Sequence, residues 1–80
     1  MASSSIVITR GAERDLMTMP FPFRRQINEH VQKLKVQPEP ASSRAVAGEV
    51  RVLAVSGWRV LYEVDTANDT VTIFGILPPV

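Results

Sequence analysis

Two arginines in neighbouring β-rich segments are the residues best suited to chemistry in this sequence. Arg51 and Arg59 lie in the run 49–65, where valine, leucine, tryptophan and tyrosine are concentrated on both sides of Ser56-Gly57. Such residues flanking a Gly-containing turn predict an antiparallel hairpin. A planar guanidinium binds a phosphate through two parallel N–H bonds. Arginines that project from a sheet are therefore candidates for holding a phosphate group.

The length of the hairpin loop decides whether these two arginines share a face of the sheet. If Ser56-Gly57 is a two-residue turn, Val55 pairs with Trp58 and the arginines lie on opposite faces. A three-residue loop over 55–57, with a bulge, pairs Ala54 with Trp58 and puts both arginines on one face. The sequence is compatible with both loops.

The elements that must position the arginines predict an α+β fold in one domain, residues 1–80. Apolar residues recur at helical spacing before Gly48, and β-prone runs follow it. Thr9 is suited to cap the first helix. We expect two antiparallel helices packed on a small antiparallel sheet of three to four strands. The predicted helices lie near residues 10–19 and 22–36, and the predicted strands near 5–9, 49–55, 58–65 and 70–77.

A polar turn at 66–69 predicts the register of the last two strands. It opposes Val64 to Val71, Tyr62 to Ile73 and Val60 to Gly75, which gives one apolar face for the helices. The expected core consists of Leu16, Phe23, Ile27, Val31, Leu34, Val60, Tyr62, Val64, Val71 and Ile73. The opposite face carries Arg59, Leu61, Glu63, Thr72 and Phe74. Because this face mixes a cation with exposed apolar groups, it predicts a surface that binds a partner.

The composition excludes several classes of protein. With no cysteine and one histidine, disulfides, thiol catalysis and a zinc site are not expected, and no cofactor or metal is predicted. No apolar run approaches the ~20 residues that cross a bilayer, and the N-terminus lacks the features of a signal peptide. A cytoplasmic protein is therefore expected. Its formal net charge of +1 is below the basic excess typical of nucleic-acid binders.

The same segments resemble a known family. The run Gly-Trp-Arg-Val-Leu-Tyr-Glu-Val-Asp at 57–65, followed by Thr-Val-Thr-Ile at 70–73, is similar to the RelE/ParE toxin superfamily of type II toxin–antitoxin systems. The run Thr-Arg-Gly-Ala-Glu-Arg-Asp-Leu at 9–16 and the Met19-Pro20 break resemble its first helix and the end of that helix. The resemblance covers residues 6 to 76 and implies a RelE-like fold.

The resemblance implies a toxin that inhibits translation by cutting messenger RNA on the ribosome. Arg59 matches the family's strand arginine directly, and Arg51 matches a preceding basic position approximately. These two would be the catalytic residues, binding the scissile phosphate while the ribose 2′-hydroxyl attacks. The implied partners are a cognate antitoxin, as a possible heterotetramer, together with the ribosome and its message.

The C-terminal residues leave two other functions open. RNA-cleaving relatives continue past the last strand with basic residues and a tyrosine or histidine, whereas residues 75–80 carry no titratable side chain. Tyr62 is expected in the core and His30 on the helix surface. One alternative is a catalytically degenerate module that is neutralised by an antitoxin. The other is a ParE-like inhibitor of DNA gyrase that acts by protein contact. The protein is thus either an endoribonuclease with an atypical active site or not an enzyme.

Overall fold

A computed structural model describes residues 4–79, and its elements follow the sequence pattern closely. In chain order they are β1 (Ser5–Ile8), α1 (Arg10–Thr18), α2 (Phe21–Lys33), β2 (Ser43–Ala47), β3 (Val50–Val55), β4 (Trp58–Asp65) and β5 (Thr70–Leu77). Both predicted helices and all four predicted strands are confirmed. Strand β2 is an addition that the sequence pattern does not predict. Within the described residues, neither helix is long and apolar enough to cross a membrane.

The five strands form one mixed sheet in the order β1-β5-β4-β3-β2. Strand β1 runs parallel to β5, and the other neighbours are antiparallel. The α+β class with two helices on a sheet is confirmed. The sheet is larger than the predicted three to four antiparallel strands, because β1 joins as a parallel edge and β2 pairs with β3. Strand β2 is almost fully exposed, so it has no buried apolar face for a sequence pattern to show.

Both helices begin at residues that suit a helix start. Thr9 caps α1, and its Oγ1 accepts a hydrogen bond from the Ala12 amide at 3.3 Å. Pro20 and Pro22 flank the start of α2, where a missing N–H costs nothing because first-turn amides lack helical partners. The buried stripes of the two helices pack against the same face of the sheet.

The core lies between the helices and this sheet face. Every predicted core residue is buried except Phe23, which is half-buried and stacks at a tilt on Trp58 with ring centroids 5.9 Å apart. Burial extends further than predicted, because five more apolar residues are inside: Ala12, Met19, Leu53, Val55 and Ile76. The described residues contain no buried polar or charged residue.

The register of β4 and β5 is predicted correctly at one end and wrongly at the other. Val64 pairs with Val71 and Tyr62 with Ile73, as the four-residue turn requires. Val60, however, pairs with Ile76 and not with Gly75, because a bulge inserts one extra residue, Phe74, into β5. The bulge turns Ile76 into the core and leaves Phe74 exposed on the opposite face.

Replacing Ile27 by aspartate is expected to remove a large part of the folding stability. Ile27 is fully buried on α2, and an unpaired buried charge costs roughly 3–5 kcal/mol against a total of ~5–15 kcal/mol for a small domain. Chemical denaturation measures the loss. Asn28→Asp places the same charge on the exposed neighbour and should change the free energy of unfolding little. Equal midpoints for both variants would show that the α2 stripe is not buried.

Candidate functional site

The turn between β3 and β4 is the two-residue form. Ser56 and Gly57 have φ angles of 50° and 86°, the positive pair that a type I′ hairpin turn requires. Val55 accordingly pairs with Trp58. The sequence leaves two loops open, and the structure adopts the one without a bulge.

This register places the two predicted catalytic arginines on opposite faces of the sheet. Arg51 pairs with Tyr62, whose side chain is in the core, whereas Arg59 pairs with the exposed Ala54 on the other face. The structure therefore does not bring Arg51 and Arg59 together. Their catalytic roles stay predictions.

Arg51 is engaged in holding the loop that precedes β2. Its Nε and Nη2 donate to Ser43 Oγ at 3.1 and 3.0 Å, and its Nη1 donates to Glu39 Oε1 at 3.2 Å. The side chain is 15% exposed. Nearby, the Tyr62 hydroxyl donates to the Pro38 carbonyl at 2.8 Å. Arg51 and Tyr62 thus attach residues 38–43 to the sheet from its helix-covered side.

The other side of the sheet, here called the open face, is not covered by a helix. It presents apolar side chains, of which Val7, Phe74 and Leu77 are 46%, 40% and 40% exposed. The strand pairings place the following residues on it: Val7, Arg44, Val52, Ala54, Arg59, Leu61, Glu63, Thr72, Phe74 and Leu77. The predicted mixture of a cation with exposed apolar groups is confirmed.

Arg59 lies in a depression of about 320 Å³ on the open face, together with a second arginine, Arg44. The Nε atom of Arg59 is buried and has no hydrogen-bond partner among residues 4–79. Its Nη2 donates to the Pro78 carbonyl at 3.4 Å. Among residues 4–79, no carboxylate forms a salt bridge with either arginine. Since a buried donor without a partner costs free energy, this depression is the place on the open face best suited to an anion.

Arg44 is the functional candidate that the sequence pattern misses. It lies on β2, opposite Val52 of β3. Because β2 is exposed on both sides, its sequence shows no alternation that would place Arg44 on a face. The one local signal is Gly48, whose φ of +55° forms part of the turn into β3.

Three titratable groups that could transfer a proton, Glu63, Tyr62 and His30, do not line the depression with Arg59. Glu63 shares the open face but is four residues further along β4, roughly 13 Å away. Tyr62 is buried on the opposite side of the sheet, and His30 lies in the last turn of α2, on that same helix-covered side. The segment beside Arg59 at the end of β5 is Leu-Pro-Pro, residues 77–79. The described residues that line the depression thus include two cations and no carboxylate, histidine or tyrosine.

The sequence and the fold agree with a known family. The family model of the ParE toxin of type II toxin–antitoxin systems (parDE) matches residues 6–78. The chain therefore belongs to this toxin family, within the RelE/ParE superfamily. A search of curated proteins finds no significant match.

Solved structures of RelE proteins share the fold at low sequence identity. The isolated Escherichia coli RelE toxin superposes with a TM-score of 0.86 at 12% identity, covering 98% of this chain and 86% of that one. The RelBE2 toxin–antitoxin complex of Mycobacterium tuberculosis gives 0.84 at 20% identity, covering 95% and 98%. The archaeal RelE–RelB complex of Pyrococcus horikoshii OT3 gives 0.83 at 18% identity, covering 95% and 94%. At these identities the likeness establishes the fold.

Replacing Arg51 by methionine is expected to lower the free energy of unfolding by ~1–3 kcal/mol, because hydrogen bonds to Ser43 and Glu39 are lost at a mostly buried site. Arg59→Met is the matched control and should change stability by less than about 0.5 kcal/mol. Urea denaturation measures both variants. If Arg59→Met destabilises the protein more than Arg51→Met does, the conclusion that Arg51 is the arginine that stabilises the fold is wrong.

Proposed function

We propose that the protein is the toxin of a type II pair that stops growth by binding a target protein through the open face. DNA gyrase is the proposed target, as in the gyrase-directed branch of the superfamily. A cognate antitoxin covers the same face and neutralises the toxin. Binding to the target and neutralisation by the antitoxin both take place in the cytoplasm. The observation that carries it is an arginine depression bordered by exposed apolar side chains, with no carboxylate, histidine or tyrosine among the described residues that line it.

The composition of the open face supports binding to a protein. Exposed apolar side chains on one contiguous sheet face are typical of an interaction surface. Leu61, Phe74 and Leu77 lie on β4 and β5 beside Arg59. Arginine and aromatic residues are frequent among the side chains that dominate protein interfaces. The helix-covered face has no comparable role, because its apolar residues already form the core.

The distribution of titratable groups argues against efficient RNA cleavage. Attack by a 2′-hydroxyl is accelerated when a side chain exchanges a proton within hydrogen-bond reach. Glu63 is too far along β4, and Tyr62 and His30 are on the other side of the sheet. Inhibition of a target protein by binding alone needs none of these groups.

Two of the similar structures support an antitoxin as partner. They are the toxin–antitoxin complex RelBE2 and the archaeal RelE–RelB complex. We infer that this chain likewise associates with an antitoxin.

Ribosome-dependent cleavage of messenger RNA is the second candidate function. The unpartnered Nε of Arg59 next to Arg44 favours it, because two guanidinium groups can stabilise charge that develops on a scissile phosphate. In this version Arg44, and not Arg51, is the second cation. Removing one such donor typically raises the barrier by ~2.7–4 kcal/mol.

Expression of the wild-type protein should arrest growth without cutting translated messages, and the purified protein should block supercoiling by DNA gyrase. Arg59→Ala should abolish arrest and weaken target binding by about 2 kcal/mol or more, because it removes an interface anchor. Circular dichroism checks that the variant folds. Arg14→Ala, on the exposed side of α1, is the matched control and should arrest growth normally.

Primer extension on translated messages separates the two candidates. If wild type cleaves messages and Arg59→Ala does not, the protein is a nuclease, and inhibition by binding to a target protein is contradicted. Folded wild-type protein that neither arrests growth nor inhibits gyrase would identify a binding module without toxicity.

A further inference from the structure

We propose that the depression between Arg44 and Arg59 is a carboxylate site that receives one aspartate or glutamate side chain of the antitoxin. The inference rests on the proposed function in that it takes an antitoxin as partner. It adds the chemistry of the contact, which is a carboxylate held between two arginines within an otherwise apolar interface.

The strand pairing brings the two arginines to one depression. Arg44 pairs with Val52, and Arg59 pairs with Ala54 two residues further along the same strand, β3. Two interstrand spacings and a two-residue offset put the Cα atoms of the arginines on the order of 12 Å apart. Both side chains line the same depression, so one anion can lie between their guanidinium groups.

The electrostatics of the depression favour an anion. No acidic residue is among those that line it, and no described carboxylate forms a salt bridge with Arg44 or Arg59. The buried Nε of Arg59 lacks an acceptor in the described part of the chain, although Nη2 of the same group donates to the Pro78 carbonyl. A carboxylate has two oxygens and can accept from both arginines. Hydrogen bonds between ionised groups of this kind are about twice as strong as neutral ones.

The surroundings favour a peptide carboxylate over the phosphates of a nucleic acid. A groove that follows a nucleic-acid backbone is lined by successive cations. Besides the two arginines, the depression is lined by uncharged residues only: Ala41, Ser42, Ser43, Val52 and Ala54. The β4–β5 side of the open face carries Leu61, Phe74 and Leu77. Apart from Arg51, the remaining cations belong to the helices or follow α2: Arg10, Arg14, Arg24, Arg25, Lys33 and Lys35. One acidic side chain within an apolar segment matches this pattern.

Occupation of the depression explains how an antitoxin neutralises the toxin. Arg59 is the residue that the proposed target contact requires, and a bound carboxylate removes its charge from the open face. The antitoxin and the target then compete for one arginine.

The test uses purified full-length toxin and its full-length cognate antitoxin. Calorimetric titration compares wild type with Arg44→Gln, Arg59→Gln and the control Arg14→Gln, which changes net charge equally on α1. We expect at least a tenfold loss of affinity for each of the first two variants and no change for the control. Wild-type affinity in both Arg44→Gln and Arg59→Gln would overturn the site.

A double-mutant cycle identifies the partner group. Each aspartate and glutamate of the antitoxin is replaced by its amide and titrated against wild type and Arg59→Gln. One replacement should lower affinity at least as much as Arg59→Gln does, and should lower it less in the Arg59→Gln background than in wild type. Fully additive losses at every acidic position would overturn the proposal, because no carboxylate would then interact with Arg59.

A short single-stranded oligouridylate tests the nucleic-acid alternative. Oligouridylate binding that is lost in Arg44→Gln and Arg59→Gln, while antitoxin binding is retained, would assign the depression to RNA and overturn the proposal. Growth arrest is scored separately. If the toxin arrests growth and binds the antitoxin equally well without Arg44 and Arg59, the carboxylate site is contradicted and the proposed function is not. If antitoxin binding requires the two arginines but the protein does not arrest growth, the carboxylate site is supported and the proposed toxicity is contradicted.

Discussion

The register of strand β4 is the constraint on which the rest of the structure depends. The two-residue turn at Ser56-Gly57 sets the pairing with β3, and the alternation of side chains along β4 then assigns each residue to one face of the sheet. Val60, Tyr62 and Val64 point into the core, so Arg59, Leu61 and Glu63 must lie on the open face. A shift of one residue would exchange these two sets and remove the core and the site together.

Because of this register, the residues that stabilise the fold lie on one face of the sheet, and the residues proposed to bind partners lie on the other. The helix-covered face holds the core and uses Arg51 to attach the loop before β2. The open face keeps Arg59 without an acidic partner among residues 4–79, beside partly exposed apolar side chains. An unpartnered arginine donor and exposed apolar groups both favour association with another molecule, which is why the toxin and its antitoxin are proposed to meet there.

Periodicity in the sequence predicts those features that bury an apolar face. The helical stripe through Ile27 and Val31, and the alternation through Tyr62 and Val64, identify the helices, the four strands and most of the core. Strand β2 buries no such face, so neither it nor Arg44 can be found that way. The bulge at Phe74 is also invisible to a pattern with period two, and it alone misplaces Gly75 and Ile76. The choice between hairpin loops depends on backbone angles at Ser56, which the residue types leave open.

A saturation mutational scan that scores growth arrest and protein abundance for every variant tests this separation most directly. We predict that substitutions in the core reduce abundance and arrest together. Substitutions at Arg59, Leu61 and Phe74 should reduce arrest at normal abundance. Arrest-specific positions concentrated on the outer surfaces of α1 and α2, with the open face tolerant of substitution, would contradict the account.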